Sequence, residues 1–100
     1  MVKPRDRLRD CTGFEWDEGN ATKNWELHDV SGTECEQVFF NRPLFARRDT
    51  GHSETEGWLF VLGRTDGGRL LFVVFTIRQE QIRIISARDM TRAERQRYQR

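Results

Sequence analysis

The segment from Leu70 to Ile77, Leu-Leu-Phe-Val-Val-Phe-Thr-Ile, constrains this chain more than any other. It is short, rich in β-branched and aromatic residues, and bordered by Thr65-Asp66-Gly67-Gly68 on one side and Arg78-Gln79-Glu80-Gln81 on the other, as a strand would be. Both of its pleat faces are apolar, which places it centrally in a sheet. Its unbroken apolar stretch, Leu70 to Phe75, is far shorter than the roughly 20 residues that cross a bilayer, so no membrane role is expected. Neighbouring strands follow from the same cues. Trp58 to Leu62 precedes a hairpin signal whose Asp and Gly residues tolerate positive φ. Leu44 to Arg48 precedes the polar loop Thr50 to Glu54, and Ile82 to Ser86 follows the second turn.

Helices flank this β region. Gly13-Phe14-Glu15-Trp16-Asp17 alternates as a short edge strand, and Asp17 can cap a helix from about Glu18 to His28, with Ala21, Trp25 and His28 on one face. Ser31-Gly32-Thr33-Glu34 is a capping-box pattern, followed by the apolar stripe Cys35, Val38 and Phe39 and a stop at Asn41-Arg42-Pro43. A second capping box, Thr91-x-x-Glu94, opens a C-terminal helix reaching about Gln99. The expected architecture is α+β: a short N-terminal strand, two N-terminal helices, an antiparallel sheet of about four strands and a C-terminal helix. With 100 residues of which 36% are hydrophobic, there is material for one core. Residues 1–13 read as a flexible polar leader and 14–100 as one domain.

A net charge of +1 conceals an acidic front and a basic back. Asp10 to Glu36 is mostly acidic, Arg78 to Arg100 mostly basic, and every base except Lys3 and Lys23 is Arg. The N-terminus has charge without a following apolar segment, unlike a secretory signal, and two cysteines do not make a disulfide framework; reduced thiols in the cytosol are the default. Cys11, His28, Cys35 and His52 are scattered without paired short spacing, so neither a metal nor a cofactor is expected. Cys35 sits on an apolar stripe, where a small buried hydrophobe fits better than an activated thiolate.

Arginine carries the remaining chemistry. Arg78, Arg83 and Arg88 lie five apart, an odd spacing that sends neighbours in one flat strand to opposite faces unless the chain breaks the pattern. Arg83, between isoleucines, must be paired with a carboxylate, functional, or on a solvated face. Guanidinium offers a rigid fork that matches phosphate and keeps its charge in partly dry sites. On the last helix Thr91, Glu94, Arg95 and Tyr98 fall near one face; Tyr98 can donate a proton or stack on a base, or equally anchor the edge of the core. His28 ends its helix, where it is a proton donor or simply a helix-end stabiliser.

Phe14-Glu15-Trp16-Asp17-Glu18, His28-x-Val30-Ser31, Gly63-Arg64-Thr65, Gly68 to Thr76 and, above all, Arg83-Ile84-Ile85-Ser86-Ala87-Arg88 with Thr91, Glu94, Arg95 and Tyr98 resemble the BrnT toxins in order and spacing. The resemblance covers about Phe14 to Tyr98. It implies a fold similar to the RelE ribonucleases and the toxin role in a bacterial type II toxin–antitoxin pair, cleaving RNA without metal in the cytoplasm and halting translation. It also implies a BrnA-like partner with a ribbon-helix-helix domain, through which alone operator DNA is contacted. Arg78, Arg83 and Arg88 would then hold phosphate, His28 or Tyr98 would donate the proton, and Glu94 would orient a neighbouring Arg. Asn20 and Leu27 stand where the family usually has Lys, Asp29 where it has Gly, and Gly57 where it has Arg. Fewer cations lower phosphate affinity, which leaves a second reading: a catalytically weakened homologue that binds its antitoxin and serves operon repression.

Overall fold

The computed structural model describes residues 8–16, 29–48 and 57–99. Its elements in chain order are β1 (Gly13–Glu15), α1 (Gly32–Val38), β2 (Phe45–Arg48), β3 (Leu59–Arg64), β4 (Leu70–Arg78), β5 (Gln81–Asp89) and α2 (Arg92–Tyr98). They form one five-stranded sheet ordered β1-β5-β4-β3-β2. The last four strands are an antiparallel meander, and β1 closes the other edge parallel to β5, pairing Phe14 with Ile82 and Glu15 with Arg83. The α+β expectation holds, with two differences. The sheet is mixed and has five strands, because β1 joins the meander as a member. Of the two expected N-terminal helices, α1 is seen with the anticipated cap, while the one expected over 18–28 lies outside the described residues.

Strand alternation sends Leu59 and Val61, Leu71, Val73 and Phe75, and Ile82, Ile84 and Ala87 to one face of the sheet, where Val30, Cys35, Val38 and Phe39 cover them. Phe75 is the largest fully buried side chain, its ring edge-on to Phe39 at 5.2 Å between centroids. The helix comes very close at Gly63: a Cβ there would lie 3.1 Å from Val38 Cβ and 3.2 Å from the Val38 carbonyl, so a side chain at this position would require α1 to give way slightly. Burial, reinforced by the Glu34 and Glu36 carboxylates, pushes the Cys35 thiol up to about 12, consistent with a packing role. Of the segment 1–13 read as a leader, Leu8 and Cys11 pack against this core, Gly13 opens β1, and residues 1–7 lie outside the described ones.

Both helix caps form as the sequence pattern predicts. The Ser31 hydroxyl accepts from Glu34 N–H at 3.1 Å and the Glu34 carboxylate accepts from Ser31 N–H at 3.1 Å; Thr91 and Glu94 repeat the exchange. Trp16 is half-buried over Gly32 and donates its indole N–H to Glu36 at 2.6 Å. Arg69 ties the corner: it grips Asp89 at 2.7 and 3.1 Å, reaches Glu34 at 3.3 Å, and donates to the Asp29 carbonyl at 2.8 Å. Asp29 itself holds a left-handed φ of 57°, which accounts for the glycine expected there from the resemblance and which Asp tolerates better than most residues.

The β4–β5 hairpin turns on two non-glycine residues at positive φ, Gln79 at 52° and Glu80 at 63°, the pattern of a type I′ turn. Glu80→Gly is expected to raise stability by about 1 kcal/mol, since the left-handed region costs an L side chain on the order of that amount. The Thr12 N–H bond to Glu80 uses the main-chain carbonyl and survives the change. Urea unfolding of the two proteins checks it; a lower midpoint for the variant contradicts it.

Candidate functional site

The second face of the sheet is only partly covered. At one end α2 packs on it through Tyr98, which clusters with Leu62 and Met90 and with the half-buried Leu70 and Phe72. Among the described residues nothing of comparable size packs on the rest of this face, where Phe60, Thr76, Arg83 and Ser86 are half-buried and Arg78 is exposed.

All three spaced arginines belong to this face, and the reason is a β-bulge. Val74 pairs with Ser86 but Phe75 pairs with Ile84, so Ile85 is an extra residue in β5. One inserted residue reverses the parity: Arg83 and Arg88, five apart, project on the same side, opposite the core-facing Ile82, Ile84 and Ala87. On β4, Arg78 shares that side with Phe72, Val74 and Thr76. The two β5 arginines stand roughly 13 Å apart along the strand, four ladder steps of about 3.3 Å.

Each arginine is held differently. Arg83 Nη1 lies 3.4 Å from Glu15 Oε1, across the parallel β1–β5 pair. Arg88 makes a two-pronged bond to Glu94, Nη1 to Oε1 at 2.8 Å and Nη2 to Oε2 at 3.1 Å, while its guanidinium carbon sits 4.1 Å from the Phe72 ring centroid. Arg78 is exposed at the end of its strand, and among the described residues none is bonded to its guanidinium. Glu94 thus does two things at once. The oxygen that accepts from Arg88 Nη1 also accepts from Thr91 N–H at 2.8 Å, so the clamp on Arg88 and the cap of α2 are one side chain.

Tyr98 is 5% exposed, and its hydroxyl donates to the Pro43 carbonyl at 2.6 Å; its ring stands edge-on to Phe45 at 5.6 Å. Burial raises its pKa, making it a weaker acid. Of the roles the sequence left open, this is the geometry of an anchor. His28 lies outside the described residues. Arg95 donates to the Met90 carbonyl at 3.1 Å, closing the start of α2. Among the described residues no three His, Cys, Asp or Glu side chains cluster as metal ligands, and no helix is long and apolar enough to cross a membrane.

Other residues of this face went unremarked in the sequence. Phe60 and Phe72 form a tilted ring pair, 5.1 Å between centroids at 31°, and Arg47 and Arg97 flank Phe60 in a shallow pocket of about 130 Å³ completed by Phe45 and Leu62. The signal was present in β4. A strand apolar on both faces needs cover on both, and a C-terminal helix of two turns covers only one end. A larger cavity of about 560 Å³, opening between β1 and the end of α1 beside the exposed Phe40, holds none of the spaced arginines.

Electrostatics gives the face a pH signature. The hydrogen bonds from Arg88, with help from Thr91, hold the Glu94 carboxyl below its ordinary 4.5. Burial alone would raise Glu34, but the bonds from Ser31 and Arg69 bring it below the same value. The folded state therefore favours both ionised forms. Their contribution is complete above about pH 4.5 and disappears as pH falls through the lowered folded-state values. A Glu34→Gln, Glu94→Gln variant is expected to be less stable at pH 7 yet to lose less on acidification to pH 3. Urea midpoints at the two pH values check this; parallel losses contradict it.

Comparison with known proteins bears on the family and the fold. A family model described as "Ribonuclease toxin, BrnT, of type II toxin-antitoxin system" matches residues 16–94. The crystal structure of the Brucella abortus ribonuclease toxin BrnT superposes with a TM-score of 0.60 at 19% identity, covering 81% of this chain and 99% of that one, which shows a shared fold. No curated protein sequence matches the chain.

Proposed function

Because the chain belongs to the family of BrnT ribonuclease toxins of type II toxin–antitoxin systems, we propose that the second face of its sheet binds single-stranded RNA and cleaves it without a metal ion, in the bacterial cytoplasm, halting translation. The observation that carries the reading is the bulge at Ile85, which gathers Arg83 and Arg88 on the face that Arg78 also occupies. On the RelE-like reading of the fold the reaction is a transesterification. The 2′-oxygen attacks phosphorus as its proton leaves to a base, the phosphorus–O5′ bond breaks, and an acid returns a proton to O5′. Charge builds on the phosphorane between these steps. Arg88, held over the Phe72 ring by Glu94, and Arg83, beside Glu15, are placed to take it, with Arg78 on an adjoining phosphate. Glu94 is then a positioning residue. Since the Tyr98 hydroxyl is engaged by Pro43, we assign proton donation to His28. Its chain neighbour Asp29 is anchored through Arg69 to Asp89, next to Arg88.

The type II system supplies an antitoxin partner; we propose a BrnA-like protein with a ribbon-helix-helix domain, through which operator DNA is reached. A second reading, an antitoxin-binding module with weakened catalysis, draws support from one observation: Arg83 and Arg88 each already contact a carboxylate. Incubating purified protein with RNA in the presence of EDTA separates the two. Cleavage that persists in EDTA and stops on adding antitoxin supports the first. An intact RNA beside tight antitoxin binding supports the second.

A further inference from the structure

The pocket formed by Phe45, Arg47, Phe60, Leu62 and Arg97 lies on the same face as the spaced arginines, and its rim joins theirs. Phe60 stacks obliquely on Phe72, and Phe72 carries the Arg88 guanidinium on its other neighbour strand, so one continuous row runs from the pocket to the phosphate-binding arginine. β3 and β5 are two strands apart, roughly 10 Å at the usual spacing, a distance within the reach of one dinucleotide. We propose that this pocket is a nucleobase subsite: it takes one unpaired base of the RNA, stacked on the half-exposed Phe60 ring, while Arg47 and Arg97 hold the adjoining phosphate.

Three features favour a nucleic-acid base over an apolar protein side chain. Among the described residues the lining contains two arginines and no carboxylate. Among the described residues, Arg47 bonds only to the carbonyl of Ala46 and no carboxylate pairs with Arg97, so the described lining presents two guanidinium groups without a carboxylate partner. The volume of about 130 Å³ fits a single planar ring system and is too small for the face of a partner helix. A flat ring flanked by guanidinium groups is the arrangement by which single-stranded nucleic acid is held without reading its sequence, because every base has a π-face. The row also assigns register: a base on Phe60 brings a neighbouring phosphate toward Arg88.

The inference rests on the RNA-cleaving reading, and its test uses binding, so the two can fail separately. A set of 2′-deoxy oligonucleotides, which lack the attacking hydroxyl, is prepared with a single abasic position moved along the strand, and affinity is measured for the parent, Phe60→Ala and Phe60→Leu. For the parent, removing the base at one position is expected to weaken binding about tenfold, with little effect elsewhere. Phe60→Ala is expected to bind the intact strand about tenfold more weakly and to lose that positional dependence; Phe60→Leu keeps the packing volume without the ring face and should behave alike. Arg47→Ala should lower the salt slope of binding by about one. If Phe60→Ala does not fold, as judged by circular dichroism, the parent's abasic profile and Phe60→Leu still decide. A flat profile, or unchanged affinity in the Phe60 variants, overturns the subsite while leaving RNA cleavage standing. A parent that shows the profile but does not cleave RNA supports the subsite and overturns the catalytic reading. Phe60 variants that lose the antitoxin but keep oligonucleotide affinity make the pocket a protein-docking site and overturn the proposal.

Discussion

Arg88→Ala is expected to lower RNA cleavage by about 100- to 1000-fold, the usual cost of removing one well-placed stabiliser of transition-state charge. Arg83→Ala is expected to fall in the same range. The two changes act through different surroundings. Arg88 is oriented from behind by Glu94 and from below by Phe72, whereas Arg83 has Glu15 on the neighbouring strand. Arg88→Lys should therefore recover little, because an ammonium keeps the charge but forfeits both the two-pronged bond and the contact of the guanidinium with the ring. Arg83→Lys should recover more. In cells, both alanine variants should relieve growth arrest while antitoxin binding is kept. Undiminished toxicity from both would remove the arginines from the reaction. Glu94→Gln gives a finer test: as a positioning residue it should change the rate mainly through Arg88, so its effect should shrink in an Arg88→Ala background.

The second large effect lies in the core. Phe75→Ala is expected to cost about 3–5 kcal/mol, the range for emptying a fully buried aromatic site. Phe75 is the centre of the β4 strand and meets Phe39 edge-on, so the cavity would open between the sheet and the turn that follows α1. Against a total stability of about 5–15 kcal/mol for an ordinary domain, the loss is large enough to leave much of the chain unfolded at 37 °C. Urea denaturation at 25 °C measures it directly. A loss below about 1 kcal/mol would mean that the α1 side of the sheet is loosely packed. Phe75→Leu, which fills most of the site, should lose distinctly less.

Local chemistry made much of this architecture legible. Ser31 with Glu34 and Thr91 with Glu94 announced both described helices, and each cap is formed by those side chains. The apolar run Leu70 to Ile77 announced the central strand, which the sheet order bears out. What stayed hidden depends on long-range pairing. The parallel addition of β1 to β5 joins residues nearly 70 positions apart, and nothing in Gly13-Phe14-Glu15 says which edge it will take. The bulge at Ile85 is a property of two strands together, so the odd spacing of Arg83 and Arg88 argued against a shared face until their partners on β4 were known. The same holds for the carboxylates. Glu94 was legible as a cap from its spacing to Thr91, and the resemblance made it a candidate for orienting a neighbouring Arg. Glu15 as the partner of Arg83 was not. Phe60 and Phe72 lie within strands the sequence shows, but that they share the face on which α2 packs emerges only from the strand register.

The double duty of Glu94 makes the site depend on the state of one helix. Arg88 has its orienting partner only while residues 91–98 are wound into α2, because the carboxylate that grips it is also the cap of that helix. Clamp and helix therefore form and fray together: whatever unwinds α2 also releases the Arg88 guanidinium from its carboxylate.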